Sequence, residues 1–435
     1  MSFAFVDLFA GIGGFHATMS ALGGELRMAV EIDPHARETY KRNWGSDPEH
    51  DVVTMASERL AEIGDHTVLA GGFPCQPFSK SGRQRGMGEE RGQLFHEIVK
   101  ILAEYRPAVV ALENVRNITG PRQKATWQAI VEGLREAGYR VPSEPCIVSP
   151  HRLPPHLGGA PQSRERVYIL GTYVGRERAL HETDVDPVVE RIPEQDWSPD
   201  RWNLEDLVGT EPSGTSTQYA FTAEEIEWIE VWNDFLRRIG NVKLPSFPMW
   251  SSYWEDDATV TAQSPAWKQA YEQKNIDFYA SNRASIRGWI EANPRLRTFP
   301  KSRQKFEWQA QDSPRDLTKC LLHLRPSGIR VKRMTYTPAL VAMAQTPLLG
   351  PLGRRMTPKE TAQLQGFPDW FTFDHQSDTR SYRQLGNAIN VGAAYYAFRK
   401  HVLRDADEIR EATGGAELVR AVEASPPCPR IPQPD

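Results

Sequence analysis

One cysteine sits between two prolines in GGFPCQPFS, residues 71–79. A free thiol has a pKa near 8.5, yet it is the most ready nucleophile among side chains. Pro74 and Pro77 fix φ and stiffen the loop around Cys75. A lone cysteine is more often buried and inert, so this residue alone leaves both readings open. Glu113 opens ENV at the end of the apolar run PAVVALENV. A carboxylate at the C-terminal edge of a parallel sheet lies where active sites form. Partial burial would raise its pKa and let it deliver a proton; a structural carboxylate is the plain alternative. Arg164 and Arg166, in QSRERVYILG (162–171), are two residues apart just before a strand. Extended, they face one side and can hold a carbonyl oxygen, phosphate or carboxylate, unless they are a solvated charge run.

A second group of residues points to a nucleotide-like ligand. In DLFAGIGGFH (7–16), Gly11, Gly13 and Gly14 allow backbone N–H groups to approach a ligand. Phe15 and His16 follow, so the third glycine of the dinucleotide fingerprint is missing. Glu31 ends the next apolar run, where an acid can accept both ribose hydroxyls of an adenosine-type cofactor. Asp51, in HDVVTM, is placed to meet an adenine amino group. Three such points at successive strand ends suggest an adenosine ligand without saying which.

The elements that must carry these residues alternate. Strand-like stretches are FAFVDLFAG, MAVEID (28–33), TVLAGGFP (67–74), PAVVALENV (107–115) and RVYILGTYV (166–174). Helical stretches such as GQLFHEIVKILAEY (92–105) and TWQAIVEGLREAG (126–138) lie between several of them. This rhythm predicts an α/β fold, a doubly wound, mostly parallel, Rossmann-like sheet. It stops near residue 175. An acidic, turn-rich segment follows, then an amphipathic helix at 222–239. Nine of the twelve tryptophans lie between 197 and 308; clustered aromatics are more often core than base-stacking platforms. Basic stretches come next, at 283–305 and in RPSGIRVKR (325–333). The expected division is a catalytic and cofactor domain at 1–175 and an irregular second domain at 176–350. A connecting segment at 351–382, a helix at 383–403 that returns to the first domain, and a partly disordered tail at 404–435 complete it.

Composition bounds the rest. The 435 residues suffice for two domains, and 40% hydrophobic with 25% charged is ordinary for a globular chain. Cys75, Cys146, Cys320 and Cys428 form no C-x-x-C pair, which argues against zinc and for a reducing, cytoplasmic setting. No run is long enough to span a membrane, and MSFAFVDLFAG lacks the features of a signal peptide. A net charge of −4 argues mildly against a nucleic-acid partner, unless a local basic face exists.

Taken together and in order, these stretches resemble the C5-cytosine-specific DNA methyltransferases of bacterial restriction–modification systems. DLFAGIGGF resembles the cofactor motif, GGFPCQPFS the catalytic loop, ENV the second catalytic motif and QSRER the Gln-x-Arg-x-Arg motif. RRMTPKETAQLQGFPDWF (354–371) resembles the motif that buttresses recognition, and RQLGNAINVGAA (383–394) the last motif. The resemblance implies S-adenosyl-L-methionine as cofactor. It implies contacts from Phe9, Gly11, Gly13, Glu31, Asp51, Val52, Pro74, Leu94 and Asn387. It implies that Cys75 adds to cytosine C6, that Glu113 contacts ring N3 and the exocyclic amine, and that Arg166, with Arg164, holds O2. Because C6 is buried in a stacked duplex, the cytosine must be flipped out. Ser81 and Arg83, in the Gly-rich loop 79–92, are the candidates to fill the vacated space and touch phosphate. Region 176–350 resembles the target-recognition region, with Arg330, Lys332 and Arg333 as candidate DNA contacts. The usual Thr-Leu pair near its end is replaced by Ala339-Leu340.

The partner implied is duplex DNA, with a cognate endonuclease acting separately, no membrane, and a monomeric enzyme. A tRNA-methylating branch with the same PCQ and ENV motifs is the alternative within the class. A non-catalytic DNA-binding relative is the alternative outside it.

Overall fold

The computed structural model describes residues 2–74, 92–189, 192–193, 195–209, 217–340 and 346–434. These divide into two compact units. The first takes in the described residues of Met1–Arg201, Pro338–Met343 and Thr361–Asp435; the second those of Trp202–Thr337 and Ala344–Glu360.

The first unit is built on a seven-stranded sheet. Its strands are β1 (Ala4–Leu8), β2 (Glu25–Val30), β3 (Val68–Gly72), β4 (Val109–Val115), β5 (Tyr139–Arg140), β6 (Cys146–Val148) and, after the two-residue β7 (Gln162–Ser163), β8 (Arg166–Tyr173). The order is β2-β1-β3-β4-β8-β5, with β6 also paired to β8. The four strands β2, β1, β3 and β4 run parallel. β8 runs antiparallel to β4, β5 and β6.

Alternation of side chains dictates two buried faces. Phe5, Val68, Ala70, Val109, Ala111 and Leu170 join one core. Val6, Leu8, Leu69, Val110, Leu112 and Ile169 join the other. Helices α1 (Gly14–Ser20) and α13 (Val391–Arg404) cover the first face. Helices α3 (Val52–Ser57), α5 (Gly92–Tyr105) and α6 (Lys124–Glu136) cover the second. This is the doubly wound arrangement that the strand–helix rhythm predicts.

Two boundaries differ from the expectation. The first unit continues past residue 175: α7 (Arg176–His181) buries Ala179, and Val188, Val189 and Ile192 pack on the α13 side of the sheet. The segment 404–435, expected to fray, instead forms α14 (Ala406–Glu411) and α15 (Gly415–Ala424). Ile409, Leu418, Val419 and Val422 of these helices are fully buried. Charge ties both segments down. Arg140 Nη1 binds Glu182 at 2.9 Å and Glu408 at 2.8 Å, and its Nη2 lies 3.2 Å from Asp405.

The second unit holds a six-stranded sheet of order β15-β14-β11-β12-β10-β9. The ranges are β9 (Met249–Trp250), β10 (Lys305–Gln309), β11 (Leu321–Arg325), β12 (Gly328–Lys332), β14 (Leu348–Leu349) and β15 (Arg354–Arg355). The amphipathic stretch at 222–239 forms α8 (Ala223–Ile239), opened by a Thr222/Glu225 capping box. One sheet face packs on α8 and α10 (Arg283–Ala292): Phe306, Leu322, Ile329 and Val331 meet Trp232, Phe235, Ile286 and Trp289. Trp232, Trp254 and Trp289 are fully buried, so these aromatics are core.

Candidate active site

The site forms where β1, β2, β3 and β4 end. Glu113 lies near the end of β4, opposite Gly72 in β3. A Cβ at position 72 would stand 3.1 Å from Ile389 Cδ1 and 3.7 Å from Glu113 Oε2. Glycine there keeps the space beside the carboxylate open.

Arg166 reaches the same place because β8 is antiparallel. Its first residue pairs with Val115, at the end of β4. Arg166 Nε donates to Glu113 Oε1 at 3.0 Å, with the side chains 15% and 11% exposed. Burial raises the Glu113 pKa above the usual carboxylate range, and the charges of Arg166 and Arg164 oppose that shift. The pair is a buried hydrogen-bonding edge beside the strand end that leads to Cys75. Asn114 completes it. Its Nδ2 donates to the carbonyl of Phe73 at 3.0 Å, and its Oδ1 accepts from Val115 N at 2.8 Å. Asn114 thus fixes the backbone one residue before Pro74, which is exposed. The motif ENV contained this residue, but its spacing gave no hint that its amide points back to β3.

Arg164 does something else. The expectation that it joins Arg166 in holding one carbonyl is corrected by its contacts. Its guanidinium donates to the backbone carbonyls of Leu340 (3.1 Å), Gly386 (3.1 Å) and Ala388 (2.6 Å). Burial, and then the charge of Arg166, push its pKa down to about 9. Its Nη1 and Nη2 donors are spent on these carbonyls, although its charge still acts on Glu113 and Arg166. Arg164 is a structural clamp on the segment that carries Asn387, the exposed last residue of α12 (Asp378–Asn387).

The cofactor candidates gather around the β1 and β2 ends. Glu31 Oε2 accepts from Gly11 N at 2.7 Å and Oε1 from Asp33 N at 2.8 Å. A carboxylate has about four acceptor sites, so Glu31 retains capacity for a hydroxyl donor beside these backbone N–H groups. Burial raises the Glu31 pKa, against the backbone hydrogen bonds that lower it. Phe9 has a left-handed φ of 56° and packs partly on the α5 side of the sheet. A Cβ at Gly11 would meet no atom within 4 Å, whereas one at Gly13 (φ 93°) would strike Trp44 Nε1 at 2.1 Å. Gly11 therefore borders open space, and Gly13 is set by packing as well as by conformation.

The Asp51 carboxylate caps α3 through Val53 N at 3.1 Å. Val52 is buried and Leu94 is half-buried on α5. Ile32, not singled out from the sequence, is 73% exposed beside Glu31. Its signal was an apolar residue between two acids.

Cys75, Ser81 and Arg83 lie outside the described residues. Arg330 and Lys332 are on β12 in the second unit, and Arg333 follows it, 3.9 Å from Asp312. Part of the basic run 283–305 is neutralised locally, by Arg283–Asp256 (2.6 Å) and Arg295–Glu227 (2.7 Å). Among the described residues, no group of three or more His, Cys, Asp or Glu could hold a metal, and no helix is long and apolar enough to cross a membrane.

Comparison with known proteins shows the family. The C-5 cytosine-specific DNA methylase family model matches residues 3–402. The type II methyltransferase M.AluI of Cellulosimicrobium cellulans is 39% identical over 504 aligned positions, covering 98% of this chain and 96% of that protein. M.HhaI of Haemophilus parahaemolyticus is 37% identical over 38% of this chain and 48% of its own length. Among solved structures, a putative DNA modification methyltransferase from an Escherichia coli prophage shares the fold, with TM-score 0.51 and 21% identity over 93% of this chain and 100% of that one. The match from residue 3 to residue 402 takes in every motif at the strand ends, and the chain belongs to the C-5 cytosine-specific DNA methylases: it is a DNA cytosine-5-methyltransferase.

Proposed function

We propose that the chain methylates C5 of a flipped-out cytosine through a covalent Cys75–C6 adduct, with Glu113 and Arg166 holding the ring. The observation that carries this reading is the buried Glu113–Arg166 pair at the end of β4. Cytosine C5 is a poor nucleophile. Addition of the Cys75 thiolate at C6 turns the ring into an enamine, and C5 then becomes nucleophilic. Negative charge develops at N3 and O2 during the addition. Glu113, with its raised pKa, offers a hydrogen or proton to N3 and accepts from the exocyclic amine. In this reading Arg166, whose Nε is engaged by Glu113 and whose Nη1 donates to the Glu165 carbonyl at 2.9 Å, turns its remaining N–H groups to O2. Once C5 carries the methyl group, its proton passes to water and the Cys75 sulfur leaves as thiolate, which restores the C5–C6 double bond and the aromatic ring.

The residues fit S-adenosyl-L-methionine. Glu31 has lone pairs for a ribose diol, Gly11 borders open space, and Ile32, Val52 and Leu94 offer apolar surface for a purine. When bound, this cofactor supplies an electrophilic sulfonium methyl. Asp51, Pro74, Phe9, Gly13 and Asn387 are the remaining members of the pocket in this reading. Ser81 and Arg83 would meet the opened duplex. The methyl mark protects DNA from a separately acting endonuclease.

The test is trapping on DNA carrying 5-fluorocytosine at the target, where the C5 fluorine cannot leave. A denaturation-resistant complex is expected with wild-type protein and none with Cys75→Ser. Methyl transfer to ordinary DNA without any trapped complex would overturn the covalent route. Bulk tRNA run in parallel must stay unlabelled.

A further inference from the structure

The second unit's sheet has a polar face as organised as its apolar one. On β10, Glu307 and Gln309 point away from the tryptophan core; on β11, His323 and Arg325 do; on β12, Arg330 and Lys332 do. The pairing registers put Glu307 and His323 directly opposite Arg330 from either side. Glu307 is 7% exposed and accepts from Arg325, from Arg330 at 3.1 Å and from Gln309. The two guanidiniums remain 20% and 28% exposed. His323 Nδ1 has no hydrogen-bond partner among the described residues.

One buried carboxylate thus holds two arginines on adjacent strands, and the face keeps a net positive charge. Stability does not ask for this. Val or Thr at these positions would pair across strands without desolvating a carboxylate. Phosphate contact does not ask for it either, because a phosphate needs charge and tolerates a free side chain. A fixed guanidinium fork is what recognition of a base edge needs: guanine presents O6 and N7 as two acceptors in the major groove.

We propose that this face reads the bases of the target duplex, with Arg325 and Arg330, aimed by Glu307, as the guanine-reading donors. Gln309 and His323 flank them with donors and acceptors suited to the neighbouring bases. Lys332, whose ammonium lies 4.3 Å from the Tyr336 ring, is left to the backbone. The inference rests on the chain acting on duplex DNA, and it extends the basic stretch 325–333 to a specific reading constellation.

The experiment uses the full chain and a duplex library with randomised flanks around cytosine, read by bisulfite sequencing. Wild type defines the preferred sequence. Arg330→Lys keeps the charge and loses the fork; the preference at one base position should fall about five- to a hundred-fold. The salt dependence of binding should not change, because the charge is kept. Glu307→Gln should relax the positions read by both arginines. Arg325→Lys is the second variant if Arg330→Lys does not fold, as judged by thermal melting and cofactor titration. An unchanged sequence preference with binding weakened evenly on all sequences would make these arginines phosphate contacts and overturn the proposal. No change in either would make the cluster structural and overturn it as well. A wild-type chain that labels no DNA would instead undo the function on which the proposal rests.

Discussion

Arg164→Met separates a structural guanidinium from a catalytic one. Arg164 is 2% exposed and donates to three carbonyls. Methionine fills similar volume but donates nothing. Each orphaned buried carbonyl costs about 1–3 kcal/mol. Relief of a buried cation, one whose pKa burial has already pushed down to about 9, offsets part of that sum. The net expectation is a loss of about 2–4 kcal/mol. At an unfolding entropy of about 2.1 cal/mol/K per residue, that lowers the melting temperature of a chain of this size by about 2–4 °C. Below that transition, methyl transfer should stay within about tenfold of wild type, with cofactor affinity weakened because the segment around Asn387 loses its clamp. Arg166→Met is the control: it removes the partner of Glu113 and should cost at least about a hundredfold in kcat. The assay is a thermal melt beside initial rates with labelled cofactor on duplex DNA. An Arg164→Met protein that melts like wild type yet loses a hundredfold in rate would place that guanidinium on the substrate and refute the reasoning.

Other outcomes follow from the same contacts. Glu113→Gln keeps the shape and an acceptor for Arg166 but cannot deliver a proton, so kcat should fall about 10²–10⁴-fold while DNA binding persists; unchanged kcat would remove Glu113 from the chemistry. Glu31→Ala should weaken cofactor binding, measured by calorimetry, far more than DNA binding; equal losses would count against its ribose role. His401 is buried against Thr172 at 3.0 Å, and burial lowers its pKa to about 4, with Asp405 opposing and Arg404 and Arg140 reinforcing the shift. A depressed histidine gives stability that is full above its unfolded value near 6.5 and is lost as pH falls through about 4, with a slope near 1.4 kcal/mol per pH unit. Denaturant melts from pH 7 to 4 should show this slope, and His401→Asn should flatten it. Truncation after Arg404 removes four fully buried apolar side chains, Ile409, Leu418, Val419 and Val422. At about 1.5–3 kcal/mol each, the loss rivals the whole stability of a domain, so the truncated chain should be insoluble or unfolded by circular dichroism.

The sequence by itself determined the layered fold and which strand ends carry the candidate residues. Parallel strands buried on both faces read as apolar runs, and the residues that end those runs must converge on one edge. Glu31 and Glu113 were legible for that reason, and the order of PCQ, ENV and QxRxR carried the family. The sequence also showed that 222–239 is an amphipathic helix, because helical periodicity is local. What lay beyond it was direction and distance. Whether β8 runs with or against β4 is not written in RVYILGTYV, yet only the antiparallel sense brings Arg166 to Glu113. Arg164, two residues away and of the same type, turns to three carbonyls, two of them more than 200 residues on. The tail looked polar enough to fray; its four buried residues are spaced over two short helices and find a core only once α13 is in place. Pairing sense, long-range polar contacts and the burial of a weakly patterned segment depend on which surfaces meet. Local propensity cannot encode that meeting, and only the folded chain decides it.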